Sequence, residues 1–213
     1  MEILVCVKRV PDSSENEIEL NSAGNDIERD DLVYSINEPD NYAVEEALQI
    51  IVPLLHTGHI DFEGKYYQAR ECELRPRGPR PNGPPILIGT FGGSRMLRLT
   101  AQYADLWNAW AANTGNSPEG VREYRTALDA ACAEIGRDPA TLGRTVAVFA
   151  DFPGSYGRPG QTVPSLTGTP EEMAEEMRAY AREGISHVQI YPDPCTVAGI
   201  EAFAPVLEIL DRG

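Results

Sequence analysis

Between Ile86 and Leu210, strand-length apolar runs alternate four times with runs of helical period, and few folds accept that pattern. Residues 86–89 read as a buried strand, 94–104 as a helix and 104–109 as a second strand. Ser117-Pro118 opens a helix through residue 135, because a hydroxyl at the N-cap followed by Pro satisfies or removes the orphan amides there. Residues 145–149 form the third strand. Thr169-Pro170-Glu171-Glu172 is a capping box that launches a helix to residue 183, with Gly184 as its C-cap. Residues 187–191 form the fourth strand, and 196–210 a last helix that Pro205 should kink or split. The expected core is therefore a parallel α/β sheet, with ligands collecting at the carboxyl ends of its strands.

The first 50 residues are written in another style. They carry 13 acidic and 3 basic residues and five Asn, whereas residues 51–213 carry 20 acidic and 15 basic and only four Asn. Residues 3–7 read as a short buried strand ended by Pro11-Asp12. Glu17 to Leu20, the Ser22-Ala23-Gly24-Asn25 turn and Ile27 read as a hairpin. Asn37 or Asp40 then caps a helix whose apolar positions run on past residue 50. The change of style predicts segments 1–50 and 51–213, joined inside that helix and packed as one α/β unit.

A net charge of -15 with only two lysines excludes nucleic acid and anionic membrane as partners. The opening apolar run is too short for a secretory signal or a spanning helix, so a soluble, cytoplasmic protein is expected. Cys6, Cys72, Cys132 and Cys195 are widely spaced, which suits neither a disulfide framework nor zinc. His56 and His59 lie three apart but have no further ligand candidates nearby, so no metal site is expected.

The strongest candidate site is Gly89-Thr90-Phe91-Gly92-Gly93-Ser94-Arg95. A strand there runs into paired glycines and a helix start, whose free amides and positive dipole end favour a phosphate. Ser94 adds a hydroxyl and Arg95 a cation. The same glycines would equally suit a tight strand-to-helix turn with no ligand. Trp107 and Trp110 flank the end of the second strand and could wall a pocket or pack in the core. Residues 151–168, long and rich in Gly and Pro, could cover the mouth. Asp193 could touch substrate or simply turn the chain, and the acidic clusters 45–46 and 171–176 read as solvated helix faces. No nucleophile elbow is present, and Cys195 with His187 lacks an orienting carboxylate.

The segments His56-Thr57-Gly58-His59 through Gly64-Lys65-Tyr66-Tyr67, Leu74-Arg75-Pro76-Arg77, Gly83-Pro84-Pro85-Ile86 through Gly92-Gly93-Ser94-Arg95, and Ala101-Gln102-Tyr103-Ala104-Asp105-Leu106-Trp107-Asn108 resemble the luciferase-like monooxygenase family. The resemblance implies the second half of a (βα)8 barrel over residues 51–213 and an FMN or deazaflavin coenzyme. It also places the flavin phosphate on Gly92, Gly93 and Ser94, with Thr90 and Arg95 beside them. Met1-Glu2-Ile3-Leu4-Val5-Cys6-Val7-Lys8-Arg9-Val10-Pro11-Asp12 and Val33-Tyr34-Ser35-Ile36-Asn37-Glu38-Pro39-Asp40 are similar to the start of an electron transfer flavoprotein beta subunit. That likeness implies an AMP or FAD adenosine pocket lined by Cys6 and Asn37, although the family's later strands and phosphate loop have no counterpart here.

Together these readings predict parallel βα units equal to half of a (βα)8 barrel, with an N-terminal strand and hairpin. The sheet would be open, flavodoxin-like or half-barrel, and its bare edges would favour a homo-oligomer. The leading function is a flavin- or deazaflavin-dependent oxidoreductase acting on a small molecule and lacking part of the ring pocket. The alternatives are an adenine-nucleotide or electron-transfer module, and a fused or truncated chain without activity.

Overall fold

The computed structural model describes residues 9–11, 17, 19–20, 22–24, 26–28, 34–36, 38–65 and 67–212. Cys6, Asn37 and the strand expected at residues 3–7 lie outside them. The chain divides into two units, residues 1–84 and 85–213.

In the first unit β1 (Arg9–Pro11) pairs antiparallel with β2 (Tyr34–Ile36). Leu20 and Ile27 form an antiparallel bridge across the Ser22-to-Gly24 turn, so the expected hairpin is present. Helix α1 (Glu38–Thr57) runs unbroken through Ile50, and Asp40, a candidate cap, lies inside its first turn. The helix stops at Gly58, whose φ of 81° is the left-handed conformation that ends helices. The Arg77 guanidinium then covers the exposed end, donating to the carbonyls of Thr57 at 2.6 Å and His56 at 2.8 Å.

A hairpin that the sequence reading missed follows: β3 (His59–Glu63) against β4 (Gln68–Glu73). His56 is therefore on the helix and His59 on a strand, so the two imidazoles do not share a helical face. Glu45 and Glu46 are half-buried rather than fully solvated.

The second unit holds β5 (Leu87–Gly89), α2 (Ser94–Tyr103), β6 (Leu106–Trp110), α3 (Pro118–Glu134), β7 (Gly143–Asp151), α4 (Pro170–Arg182), β8 (His187–Asp193) and α5 (Val197–Asp211). Its four strands are all parallel and lie in the order β5-β6-β7-β8. That sequential order is the barrel pattern, without the reversal that marks a flavodoxin-like sheet. Among the described strands nothing pairs with the outer edges of β5 and β8, so the sheet is open.

Alternate strand residues decide what is buried. Ile88, Trp107, Val146, Val148, Val188 and Ile190 face the helices and pack on Leu128, Met177 and Tyr180. The other face presents Leu87, Trp110 and Tyr191, which are exposed. Ser117, Thr169 and Thr196 cap α3, α4 and α5, and the capping box at Thr169 is complete. Helix α5 runs on through Pro205 instead of splitting there. Pro205 and Glu201, whose carbonyl loses its partner, lie on the exposed side, where water can take the bond.

On the outer side Glu183 is clasped by Arg122 and Arg125. The hydrogen bond from Arg122 holds the Glu183 carboxyl below the usual carboxylate range. Glu176 is half-buried, and burial raises its carboxyl, so that end of the 171–176 cluster is not a solvated face. Burial also pushes the neighbouring Tyr180 phenol up.

Candidate functional site

Two features lie at the carboxyl ends of the second unit's strands. The first is the turn from β5 into α2. Thr90 is buried; its hydroxyl donates to the Gly92 carbonyl at 3.2 Å, and its own carbonyl accepts the Trp107 indole N–H at 2.8 Å. Trp107, wholly buried, thus anchors the turn from beneath and does not line a pocket. Gly93 occupies the N-cap of α2 with φ 76°, ψ 111°, and no side chain caps the helix. Both Gly92 and Gly93 are exposed, and a Cβ on either would meet nothing within 4 Å. An open approach to the first-turn amides of an uncapped helix is the geometry an anion requires. Ser94 is exposed beside it and Arg95 half-buried.

The second feature is a cleft of about 440 Å³ over the ends of β6, β7 and β8. Trp110, Phe149 and Tyr191 meet edge to face there, with ring centroids 5.2 to 6.4 Å apart. The Arg158 guanidinium lies 4.9 Å from the Phe149 centroid and 5.5 Å from that of Tyr191. It pairs with Asp151 and donates to Ser165 Oγ at 2.9 Å and to the Tyr191 carbonyl at 2.7 Å. Asp193, 3% exposed, accepts from Ser155 Oγ at 2.7 Å and from the Gly157 amide at 2.8 Å. Asp193 therefore holds the covering loop, which is the turn role, and Trp110 is the tryptophan that lines the cleft.

That loop is pinned at three further places. Leu166 bridges Ala150 in parallel, Arg158 grips the ends of β7 and β8, and Asn116 donates to the Pro164 carbonyl at 3.0 Å. Asn116 also brackets Phe149, accepting from its N–H and donating to its carbonyl, both at 2.9 Å. The sequence reading missed both Asn116 and Arg158. Gly115-Asn116 just ahead of the Ser117-Pro118 helix start was a signal for a left-handed Asn, but its partners lie 33 and 48 residues away. His187 and Cys195 carry no paired carboxylate, and among the described residues no His, Cys, Asp and Glu cluster could hold a metal. Among those residues no helix is long and apolar enough to cross a membrane.

Four parallel strands in chain order, each followed by a helix, with an open glycine turn and a cleft at the strand ends, define a unit of the (βα)-barrel type. The chain belongs to the luciferase-like monooxygenase family, whose profile matches residues 27–151, more than half of its length. It is 37% identical over 101 residues to the pyrimidine monooxygenase RutA of Caulobacter sp. (strain K31), a match covering 47% of this chain and 27% of that protein. Thus the chain spans about a quarter of the length of the curated relatives it matches.

Among solved structures, an F420-dependent secondary alcohol dehydrogenase in complex with an F420-acetone adduct superposes with a TM-score of 0.63. It shares 15% identity, over 81% of this chain and 62% of that one. A riboflavin lyase (RcaE) with modified FMN and riboflavin superposes with a TM-score of 0.65 at 12% identity, over 82% of this chain and 58% of that one. The family match takes in residues 27–50, which the sequence reading gave to an electron transfer flavoprotein-like head. That head, and the AMP or FAD pocket at Cys6 and Asn37, gain no support from these similarities.

Proposed function

We propose that the chain is a flavin- or deazaflavin-dependent oxidoreductase of this family, with the cofactor's phosphate seated on Gly92, Gly93 and Ser94 and flanked by Thr90 and Arg95. The observation that carries the reading is the uncapped start of α2, open to solvent behind two exposed glycines. The bound ring supplies the redox chemistry. The chain's part is to hold the phosphate on main-chain amides, to fix the turn through the Thr90 and Trp107 hydrogen bonds, and to present the strand-end cleft to the ring and substrate. Substrates named for the relatives run from pyrimidine to secondary alcohol, so kinship alone selects none.

Titration with FMN and with a deazaflavin coenzyme, followed by ligand fluorescence, is expected to show saturable binding below millimolar concentration. Gly93→Asp should weaken it at least about tenfold, because an N-cap carboxylate takes up the same amides and repels phosphate. No binding of either cofactor at millimolar concentration rejects the reading.

The open edges of β5 and β8 further favour a homo-oligomer, since unpaired parallel edges invite a partner. Light scattering should give a multiple of 23.3 kDa, and a particle of that single mass would refute self-association.

A further inference from the structure

We infer that the cleft between Trp110, Tyr191 and the 155–161 loop takes an uncharged planar ring. The inference deepens the function proposed above and rests on it only in that the ring would face a cofactor held at Gly93.

The charges in this cleft are already spent. Both Nη atoms of Arg158 are committed: Nη1 to Asp151 and Ser165, Nη2 to the carbonyls of Ala150 and Tyr191. Its Nε is buried, so a ligand in the cleft does not reach it. An anion would therefore have to break the pair with Asp151 to find a cation, in a cleft that also holds the buried Asp193 carboxylate. A cation fares no better. The guanidinium already occupies a face of Phe149 and of Tyr191, and Asp193 is 3% exposed with Oδ2 taken by two donors.

What the cleft still offers is aromatic surface. Trp110 is 37% exposed and Tyr191 52%, whereas Phe149, at 2%, serves only to hold them edge-on. Flat rings stack on such surface without needing a charge. The volume, about 440 Å³, falls in the range of small-molecule sites. Two sources share this chemistry, the ring of the cofactor itself and a separate substrate ring.

Benzamide, benzoate and benzamidinium have one shape and three charges, so they test the inference directly. With the flavin-free protein, ligand-detected NMR titration should rank benzamide tightest, by at least about fivefold over both ions. Trp110→Ala should weaken benzamide about fivefold or more, and Trp110→Phe should restore most of it. Equal or tighter binding of either ion overturns the inference, as does benzamide binding that ignores Trp110→Ala or is absent at tens of millimolar. Repeating the titration with FMN at saturation separates the sources: competition assigns the cleft to the cofactor ring, and simultaneous binding assigns it to a substrate. If FMN fails to bind while benzamide ranks first, the cofactor reading falls and the ring site stands.

Discussion

Asn116→Ala is expected to lower the unfolding free energy of the second unit by about 2–4 kcal/mol. The size follows from where strand β6 ends. Its register with β7 runs from Leu106 opposite Gly143 to Trp110 opposite Ala147, and there the neighbour strand stops while β7 continues to Asp151. Phe149 would be left with a bare N–H on that side, in a position 2% exposed, while its carbonyl would keep the Leu166 N–H at 2.8 Å. The Asn116 carboxamide replaces the missing strand, one end accepting and the other donating at 2.9 Å, and it also ties down the Pro164 carbonyl.

Alanine leaves one buried amide without a partner, costing about 1–3 kcal/mol, and removes two further hydrogen bonds worth about 0.5–1.5 kcal/mol each, of which water can recover part. Asn116 has φ 53°, so Asn116→Gly separates the causes. Glycine relieves the backbone conformation, worth about 1–2 kcal/mol, but not the lost bonds, so it should recover only that much over alanine and stay less stable than the parent protein. Urea unfolding with unchanged m-value measures both variants. A loss below about 0.5 kcal/mol for alanine would mean that water replaces the carboxamide completely.

Elements that declare themselves through local chemistry were legible. The paired signals at Ser117-Pro118, Thr169 to Glu172 and Gly184 placed the ends of α3 and α4, and the apolar runs placed β5 to β8, most plainly in β7, where burial of both faces from Val146 to Ala150 leaves a continuous apolar record. The β3–β4 hairpin was not legible, for a definite reason. A bulge at Glu71, with φ 48°, puts Ala69 opposite Phe62 but Cys72 opposite Ile60, so the inward residues of β4 fall three apart and the period of two is erased. The open glycine turn could be read from sequence because every part of it lies within six residues. The cleft could not, since Arg158 reaches Asp151 and Tyr191, and Asn116 reaches Phe149, through side chains whose directions only the assembled sheet fixes. Pro205 does not split α5 for a related reason: the rule about a lost helix bond is local, but whether the loss breaks the helix depends on which side of α5 faces solvent.

Glycine-to-alanine substitutions should divide sharply by position, with the greatest loss at Gly120 and Gly199. Helices α3 and α5 begin with the same device, a hydroxyl N-cap accepting from the amide of a glycine three residues on, at 3.1 Å from Gly120 to Ser117 and 3.3 Å from Gly199 to Thr196. Each glycine is pressed against the chain that leads into its own helix. A Cβ at Gly120 would stand 1.8 Å from the Thr114 carbonyl oxygen, and one at Gly199 2.0 Å from that of Pro194. Neither obstacle is a movable side-chain tip, so the helix start itself must shift, and each substitution should cost about 3 kcal/mol, the upper end of the usual overpacking range.

Moving the start of α3 also moves the turn carrying Trp110 and Asn116, so Gly120→Ala should weaken benzamide binding in the cleft even at temperatures where the unit stays folded. Gly93 is the contrast: with nothing within 4 Å, alanine there meets only the cost of a φ of 76°, about 1–2 kcal/mol. Thermal unfolding of the three variants side by side checks the order. A Gly120→Ala protein as stable as Gly93→Ala would show that the turn before α3 yields freely, and that the cleft wall does not depend on this close approach.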